Sequence, residues 1–144
     1  MFGMSKTFLR CRECKKEYDS TFKYVCDECF GPLDVYYNFP SITKDIFRNR
    51  EQTYWRYFEL LPIIDKSNIV SINAGMTPLV KAEKLGKKIG LNNLYIKNDS
   101  VNPTFSFKDR PAGVAISKAK EFGLSSVGCA STGNLASATA AHAA

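Results

Sequence analysis

The sequence has 144 residues, of which 44% are hydrophobic and 24% are charged, a composition typical of a folded globular domain. Its net charge of +6 would suit a nucleic-acid-binding protein, but residues 1–36 contain six Lys or Arg and six Asp or Glu, so the excess lies in residues 37–144. A module that neutralises nucleic-acid phosphates needs clustered basic groups on its own surface. Small anionic ligands are therefore the better match, and we expect no nucleic-acid partner.

The two ends of the sequence argue against membrane association. Lys6 and Arg10 interrupt the apolar run that a secretory signal would need. Residues 124–144 contain no Asp, Glu, Lys or Arg, but polar residues recur there too often for a membrane span. We therefore expect a cytoplasmic protein, a location that also keeps cysteines reduced.

Four of the five cysteines form two closely spaced pairs, Cys11 with Cys14 and Cys26 with Cys29. Such pairs can meet tetrahedrally around one Zn²⁺, although the eleven-residue spacer between them is shorter than usual. Two disulfides or a redox pair are the alternatives, and disulfides suit secreted proteins. We predict a zinc-ribbon-like β segment over residues 1–37 with a structural zinc, because four thiolates leave no open coordination position. Short strands are predicted at residues 7–10, 24–25 and 33–37.

Residues 38–72 are predicted to form a helical linker. Ser41 is a suitable N-cap, apolar residues recur on one side as far as Leu61, and Pro62 would end the helix. The aromatic residues of this segment, Tyr54, Trp55 and Phe58, are interpreted as packing groups.

Residues 73–144 alternate between predicted strands and helices, which indicates an α/β fold with a mostly parallel sheet covered on both faces. The predicted strands are 77–80, 94–97 and 126–130, and the predicted helices are 82–89, 106–122 and 135 onward.

Lys108 is the candidate catalytic residue because it stands between aromatic and charged neighbours where a loop meets a helix. A lysine forms an imine only as the neutral amine, so such a site needs partial burial or nearby positive charge. Phe105 and Phe107 could supply the burial, and Arg110 the charge. The alternative is a solvated lysine in the first turn of a helix.

A predicted strand runs into a turn at residues 130–134 that is rich in Ser, Thr, Gly and Asn, before the last helix. Such a turn offers backbone N–H groups to an anion, but ordinary helix N-caps use the same residues. Cys129, beside the turn, is interpreted as a small buried hydrophobe. We assign no role to His142, which is expected to be packed or at the surface.

Three motifs together resemble threonine synthase, a pyridoxal-phosphate enzyme of the tryptophan-synthase β-like fold. They are Gly75–Leu79, Ser106–Arg110 and Ala130–Ala136, and the resemblance runs from about Cys11 to the last residue. One departure is Asn73, since relatives usually carry an acidic residue before the glycine of the first motif. The resemblance implies a partial parallel-sheet fold of the fold-type II pyridoxal-phosphate enzymes, preceded by the zinc-ribbon-like segment.

The resemblance also implies roles for five residues. Lys108 matches the lysine that holds pyridoxal phosphate as an internal Schiff base and later moves protons on the substrate carbons. Asn134 matches the asparagine that hydrogen-bonds the 3′-hydroxyl of the cofactor. Ser131, Thr132 and Gly133 match the loop that binds the substrate carboxylate.

The implied activity is that of a carbon–oxygen lyase acting on phosphates, which converts O-phospho-L-homoserine and water to L-threonine and phosphate. Two alternatives remain open. One is another enzyme of the same fold, such as cysteate synthase or a serine/threonine dehydratase. The other is a non-catalytic zinc-ribbon binding module with an inert enzyme remnant. A homodimer would be an ordinary state for such an enzyme.

The alanine-rich last helix reaches Ala144 without a glycine cap, and the chain is well under half the length of the resembling family. It lacks the glycine-rich cup for the cofactor phosphate and the residue that faces the pyridine nitrogen. We therefore expect residues 73–144 to be a truncated N-terminal part of the catalytic domain, inactive alone.

Overall fold

A computed structural model describes residues 6–39 and 41–144. The first five residues of the predicted ribbon segment, and Pro40 of the predicted linker, lie outside the described residues.

The N-terminal segment forms a three-stranded antiparallel sheet. Strand β1 (Lys6–Cys11) is central and pairs with β2 (Glu17–Asp19) on one side and β3 (Leu33–Asn38) on the other. Thr7, Leu9 and Cys11 alternate along β1 and are buried, as expected of a sheet with one covered face. The prediction of strands at 7–10 and 33–37 is confirmed, while Val25 makes only an isolated bridge to Pro32.

The single helix predicted over residues 41–61 is wrong. The segment instead contains two short 3₁₀ helices, Lys44–Phe47 and Tyr54–Leu60, with extended backbone at Thr53 between them. Two arginines satisfy backbone carbonyls that a continuous helix would pair internally, since Arg50 donates to Arg56 O at 2.6 Å and Arg56 donates to Phe47 O. Side-chain bonds across the segment therefore replace the helical ladder.

The aromatic residues of the linker form the main apolar core, which confirms their interpretation as packing groups. The core is made of buried residues from the linker and the start of the next segment: Tyr54, Trp55, Phe58, Ile63 and Ala74. Leu61, Ile69 and Val114 pack against it. The linker thus attaches directly to the helix that carries Val114.

The remaining described residues form two strands, three α-helices and two short 3₁₀ helices. The strands and α-helices are β4 (Leu79–Lys81), α1 (Glu83–Ile89), β5 (Tyr95–Lys97), α2 (Asp109–Glu121) and α3 (Asn134–Ala143). The 3₁₀ helices are Lys66–Asn68 and Asp99–Val101. The α/β prediction is confirmed, but the parallel sheet is not formed within residues 6–39 and 41–144. There β4 and β5 pair antiparallel, and residues 126–130 form no strand. A strand needs a partner for its N–H and C=O groups, and no described segment pairs with residues 126–130.

Helices α2 and α3 pack closely through small residues, with Ala112 2% and Ala138 0% exposed. Their N-terminal halves line one cavity, to which Pro111 and Leu135 contribute. A second cavity is lined by residues near both C-termini, including Lys120. His142, near the end of α3, also lies 3.8 Å from Asp109 at the start of α2, so both ends of α3 lie beside the N-terminal half of α2.

Candidate active site

The backbone of Lys108 is held on both sides at the start of α2. Its N–H donates to the buried hydroxyl of Ser106 at 3.2 Å, and its carbonyl accepts from Ala112 N–H at 3.1 Å. The side chain is half-buried, with Nζ 4.8 Å from the centre of the Phe107 ring. Within residues 6–39 and 41–144, no carboxylate forms a salt bridge with Nζ. The amine is thus available to a ligand.

The apolar burial and the free positive charge expected around Lys108 from the sequence are not found among the described residues. Phe105 is 80% exposed and Phe107 56% exposed, so neither encloses Lys108 in apolar surroundings. Arg110 does not face Lys108 as a free positive charge, because a carboxylate pairs with it from another part of the chain. Aromatic side chains in an exposed loop find no packing partner, and a partly buried charged side chain is stabilised by a nearby counter-ion.

The counter-ion of Arg110 is Asp99, which precedes the loop that leads to Lys108. Arg110 Nε donates to Asp99 Oδ2 at 2.9 Å and Nη2 donates to Oδ1 at 2.8 Å, while Thr77 Oγ1 donates to Oδ1 at 2.6 Å. The hydrogen bond from Arg110, with that from Thr77, lowers the pKa of Asp99 to about 2. This network connects the segment around Thr77 with the first turn of α2.

Asn102 makes a second connection between the same segments. Its Oδ1 accepts the N–H of Gly75 at 2.9 Å, and its Nδ2 donates to Asp99 O at 3.0 Å. Gly75 has a φ of +83°, and a Cβ there would lie 2.9 Å from Tyr54 Cβ and 3.2 Å from Arg110 Nη1. Glycine is therefore required by backbone conformation and by space.

Sequence reasoning missed Asp99 as a site residue and gave Asn102 no separate role. Isolated Asp and Asn residues near a turn have many structural uses, so no local pattern distinguishes them. Their partners lie 22 and 27 residues away in sequence.

Asp109 forms hydrogen bonds with Thr104 in the loop that precedes Lys108. Its fully buried carboxylate accepts the N–H of Thr104 at 2.8 Å and the Thr104 hydroxyl at 2.9 Å. Between them Phe105 has a φ of +59°, a conformation that costs energy for a bulky residue. These two hydrogen bonds from Thr104 to Asp109, here called the Thr104–Asp109 clamp, hold the strained turn in place.

The predicted substrate and cofactor residues of the third motif, Ala130–Ala136, lie at the N-terminus of α3. Ser131 is half-buried, whereas Thr132, Gly133 and Asn134 are exposed. Ser131 Oγ accepts the N–H of Gly133 at 3.3 Å, and no side chain of the described residues caps the helix. The first N–H groups of α3 are thus open to an anion.

Lys108 directly precedes α2 and Asn134 begins α3, and no hydrogen bond joins the two residues in the described part of the chain. A half-buried primary amine without an ion pair and an exposed carboxamide are the donor types needed to hold an aldehyde cofactor and its ring hydroxyl. The residues present fit pyridoxal phosphate on this side.

The four cysteines of the ribbon converge, and their Sγ atoms all lie within 4.8 Å of one another. Cys11 and Cys29 are 3.4 Å apart, as are Cys14 and Cys26. Zn–S bonds of about 2.3 Å in a tetrahedron place sulfurs about 3.8 Å apart, whereas a disulfide requires about 2.05 Å. All five cysteines are free thiols. The disulfide alternative is therefore wrong for this structure, and the geometry fits a metal.

Tyr18 supports one of these sulfurs. Its hydroxyl accepts the N–H of Asp27 at 3.0 Å, which leaves its hydrogen for Cys26 Sγ, also at 3.0 Å. That hydrogen bond lowers the pKa of Cys26 to about 6.

The two residues left without a role differ in their surroundings. Cys129 is half-buried beside α2 and α3, in keeping with its interpretation as a small hydrophobe. His142 is packed, with 3% of its surface exposed.

Comparisons with known proteins agree over most of the chain. Residues 70–144 match the family described as "Pyridoxal-phosphate dependent enzyme". The chain is similar to the threonine synthase of Methanocaldococcus jannaschii, with 44% identity over 140 residues, which are 94% of this chain and 34% of that protein. For the threonine synthase of Methanosarcina acetivorans the identity is 42%, over 93% of this chain and 33% of that protein.

A third relative, the threonine synthase of Synechocystis sp., is 46% identical over 72% of this chain and 27% of its own length. The chain thus spans about a third of the length of the first two curated relatives. No helix in the described ranges is both long enough and apolar enough to cross a membrane.

Proposed function

The chain belongs to the pyridoxal-phosphate dependent enzyme family, and from that membership we propose that it is the N-terminal part of a threonine synthase. The observation that supports the proposal most is the similarity to two threonine synthases, at 44% and 42% identity over 94% and 93% of this chain. Within the matched residues, Lys108 directly precedes α2 and Asn134 begins α3. The reaction is the conversion of O-phospho-L-homoserine and water to L-threonine and phosphate, which is carbon–oxygen lyase chemistry on a phosphorylated substrate.

Lys108 is the proposed catalytic residue. Its Nζ holds pyridoxal phosphate and, once free, moves protons at the substrate carbons. When bound, pyridoxal phosphate would supply an electron sink for negative charge that develops on the substrate carbons. Hydrogen bonds to Ser106 and from Ala112 hold the backbone of Lys108 and so fix where its side chain begins, which limits the positions that the amine can take for proton transfer.

The N-terminus of α3 is the proposed site for anionic and polar groups. Asn134 donates to the ring hydroxyl of the cofactor. Ser131, Thr132 and Gly133 bind the substrate carboxylate, helped by the free N–H groups and the positive end of the helix dipole. The positive net charge of residues 37–144 raises the local concentration of such anions.

The cysteine cluster is proposed to hold one structural Zn²⁺ through Cys11, Cys14, Cys26 and Cys29. Support comes from the Sγ distances and from the free state of the thiols. Four thiolates complete the coordination shell, so the metal stabilises the ribbon without taking part in the reaction. We further propose a cytoplasmic location, and a homodimer as the assembly.

The test is a turnover assay on the complete natural polypeptide that carries these residues. Phosphate release and threonine formation are measured with O-phospho-L-homoserine. In separate reactions, phosphate release from O-phospho-L-serine and 2-oxo acid formation from L-threonine are measured. We expect turnover with O-phospho-L-homoserine that Lys108→Ala abolishes, and no loss in the control Lys87→Ala on the exposed face of α1. Preference for O-phospho-L-serine would indicate a cysteate synthase, and preference for L-threonine a dehydratase. Zinc binding without cofactor would leave only a binding module.

A further inference from the structure

Two buried polar atoms approach the same point beside Gly113. Tyr54 Oη and His142 Nε2 are both buried, and neither has a hydrogen-bond partner among the described residues. A Cβ built on Gly113 would overlap Tyr54 Oη and lie 3.0 Å from His142 Nε2. The missing side chain of Gly113 is what leaves room for both groups. A buried polar atom without a partner is costly, so the pair requires an explanation.

The two atoms are complementary as donor and acceptor. His142 Nδ1 lies 2.9 Å from Ala138 O. Because a carbonyl oxygen only accepts, Nδ1 carries a hydrogen, and in the neutral ring Nε2 then presents a lone pair. Burial raises the pKa of Tyr54, so its hydroxyl keeps its hydrogen. Tyr54 therefore offers the donor that Nε2 lacks.

The other side of the imidazole faces the Thr104–Asp109 clamp in front of Lys108. His142 Nδ1 is 3.8 Å from Asp109 Oδ1, and both side chains are fully buried. Asp109 already accepts two hydrogen bonds from Thr104. A buried carboxylate needs such partners and gains further from a nearby polarisable or cationic group. His142 is the group of that kind contributed by α3.

We propose that His142 is a positioning residue that joins Tyr54 and Asp109 into one buried polar unit. A small shift of the two side chains brings the Tyr54 hydroxyl within hydrogen-bond distance of Nε2, and the ring packs against the Asp109 carboxylate. The unit connects three parts of the chain: the linker through Tyr54, α3 through His142, and the first turn of α2 through Asp109.

The buried polar unit also constrains the distance between Lys108 and Asn134. Lys108 directly precedes Asp109, and Asn134 begins the helix that carries His142. A fixed contact between Asp109 and His142 therefore fixes the two cofactor contacts relative to each other. This consequence rests on the function proposed above. His142 itself would touch neither cofactor nor substrate.

The experiment compares four variants of the complete natural polypeptide: His142→Leu, His142→Asn, Tyr54→Phe and the control Ser137→Ala, which alters an exposed residue of the same helix. The first measurement is amide hydrogen exchange without cofactor. We expect His142→Leu to speed exchange at residues 104–110 by about tenfold and to leave the ribbon strands unchanged. Tyr54→Phe should give a smaller increase, and Ser137→Ala none.

The second measurement is the pyridoxal phosphate concentration that half-saturates borohydride trapping on Lys108. His142→Leu should raise it about tenfold, and His142→Asn, which retains a donor for Ala138 O, should restore most of the loss. Unchanged exchange at residues 104–110, or an equal rise in the ribbon, would overturn the inference. Absence of label on Lys108 in the unaltered protein would overturn the proposed function instead, and hydrogen exchange would still decide the role of His142.

Discussion

Replacement of Asp99 by Asn removes the negative charge on which Arg110 and Thr77 converge. The carboxylate accepts two hydrogen bonds from Arg110, at 2.9 and 2.8 Å, and one from Thr77 at 2.6 Å. The Arg110 side chain is only 32% exposed and would keep its charge without a counter-ion. We expect Asp99→Asn to lower the free energy of unfolding by about 2 kcal/mol near neutral pH. Hydrogen bonds to charged groups contribute about 1.5–3 kcal/mol each. Solvent screens part of this contribution, because the Asp99 carboxylate is 24% exposed.

The effect should depend on pH in a defined direction. Arg110 and Thr77 lower the pKa of Asp99 from 3.8 to about 2. A carboxyl group whose pKa falls on folding adds stability above its unfolded pKa and loses that stability as the pH falls through the folded value. The difference between the unaltered protein and Asp99→Asn should therefore be constant above about pH 5 and shrink between about pH 4 and pH 2.

Urea unfolding followed by circular dichroism at a series of pH values measures this difference. The matched control is Asp45→Asn, whose partner Arg48 is 77% exposed and which is itself 73% exposed, so its loss should stay below about 0.5 kcal/mol. The reasoning is refuted if Asp99→Asn equals Asp45→Asn near neutral pH, or if the difference does not narrow in acid.

Three further predictions concern packing and the cysteine cluster. Gly113→Ala should lower the midpoint of thermal unfolding, because overpacking against Tyr54 costs about 1–3 kcal/mol and outweighs the gain in helix propensity of about 1 kcal/mol. Gly128→Ala is the control and should leave the midpoint unchanged, since an added methyl there meets nothing within 4 Å. Equal effects of the two substitutions would contradict the prediction. Tyr18→Phe should weaken zinc binding about tenfold, because it removes the hydrogen bond to Cys26 Sγ. A competition titration with a chromogenic chelator measures this affinity, and the stoichiometry should stay at one zinc per chain. Unchanged affinity would show that the Tyr18 hydrogen bond does not stabilise the metal site. Zinc removal by a stronger chelator should increase hydrogen exchange in strands β1–β3 and leave α2 protected, whereas equal exchange with and without metal would show that the ribbon does not depend on it.

Features with local causes could be predicted from the sequence. Helix α1 was expected at residues 82–89 and lies at Glu83–Ile89, because its end is set by Gly90, which takes a left-handed φ of +76°. The cysteine cluster was also predictable, since two CxxC pairs bring their own geometry. Both follow from residue types that have one characteristic use at that spacing.

Features that depend on one particular pair of charged side chains could not be predicted. The helix expected at residues 41–61 is replaced by bonds such as that of Arg50 to Glu59, at 2.6 Å. Arg110 was expected beside Lys108 as a free charge, but Asp99 pairs with it. In each case a tertiary partner overrides a local preference, and the residue types alone do not reveal that partner.

The central claim is that Lys108 holds pyridoxal phosphate. Pyridoxal phosphate is added to the complete natural polypeptide, the imine is reduced with borohydride, and the modified peptide is mapped by mass spectrometry. We expect a pyridoxyl group on Lys108 and little label on the exposed lysines of α1, which are Lys84, Lys87 and Lys88. Label spread evenly over those lysines, or absent from Lys108, would contradict it.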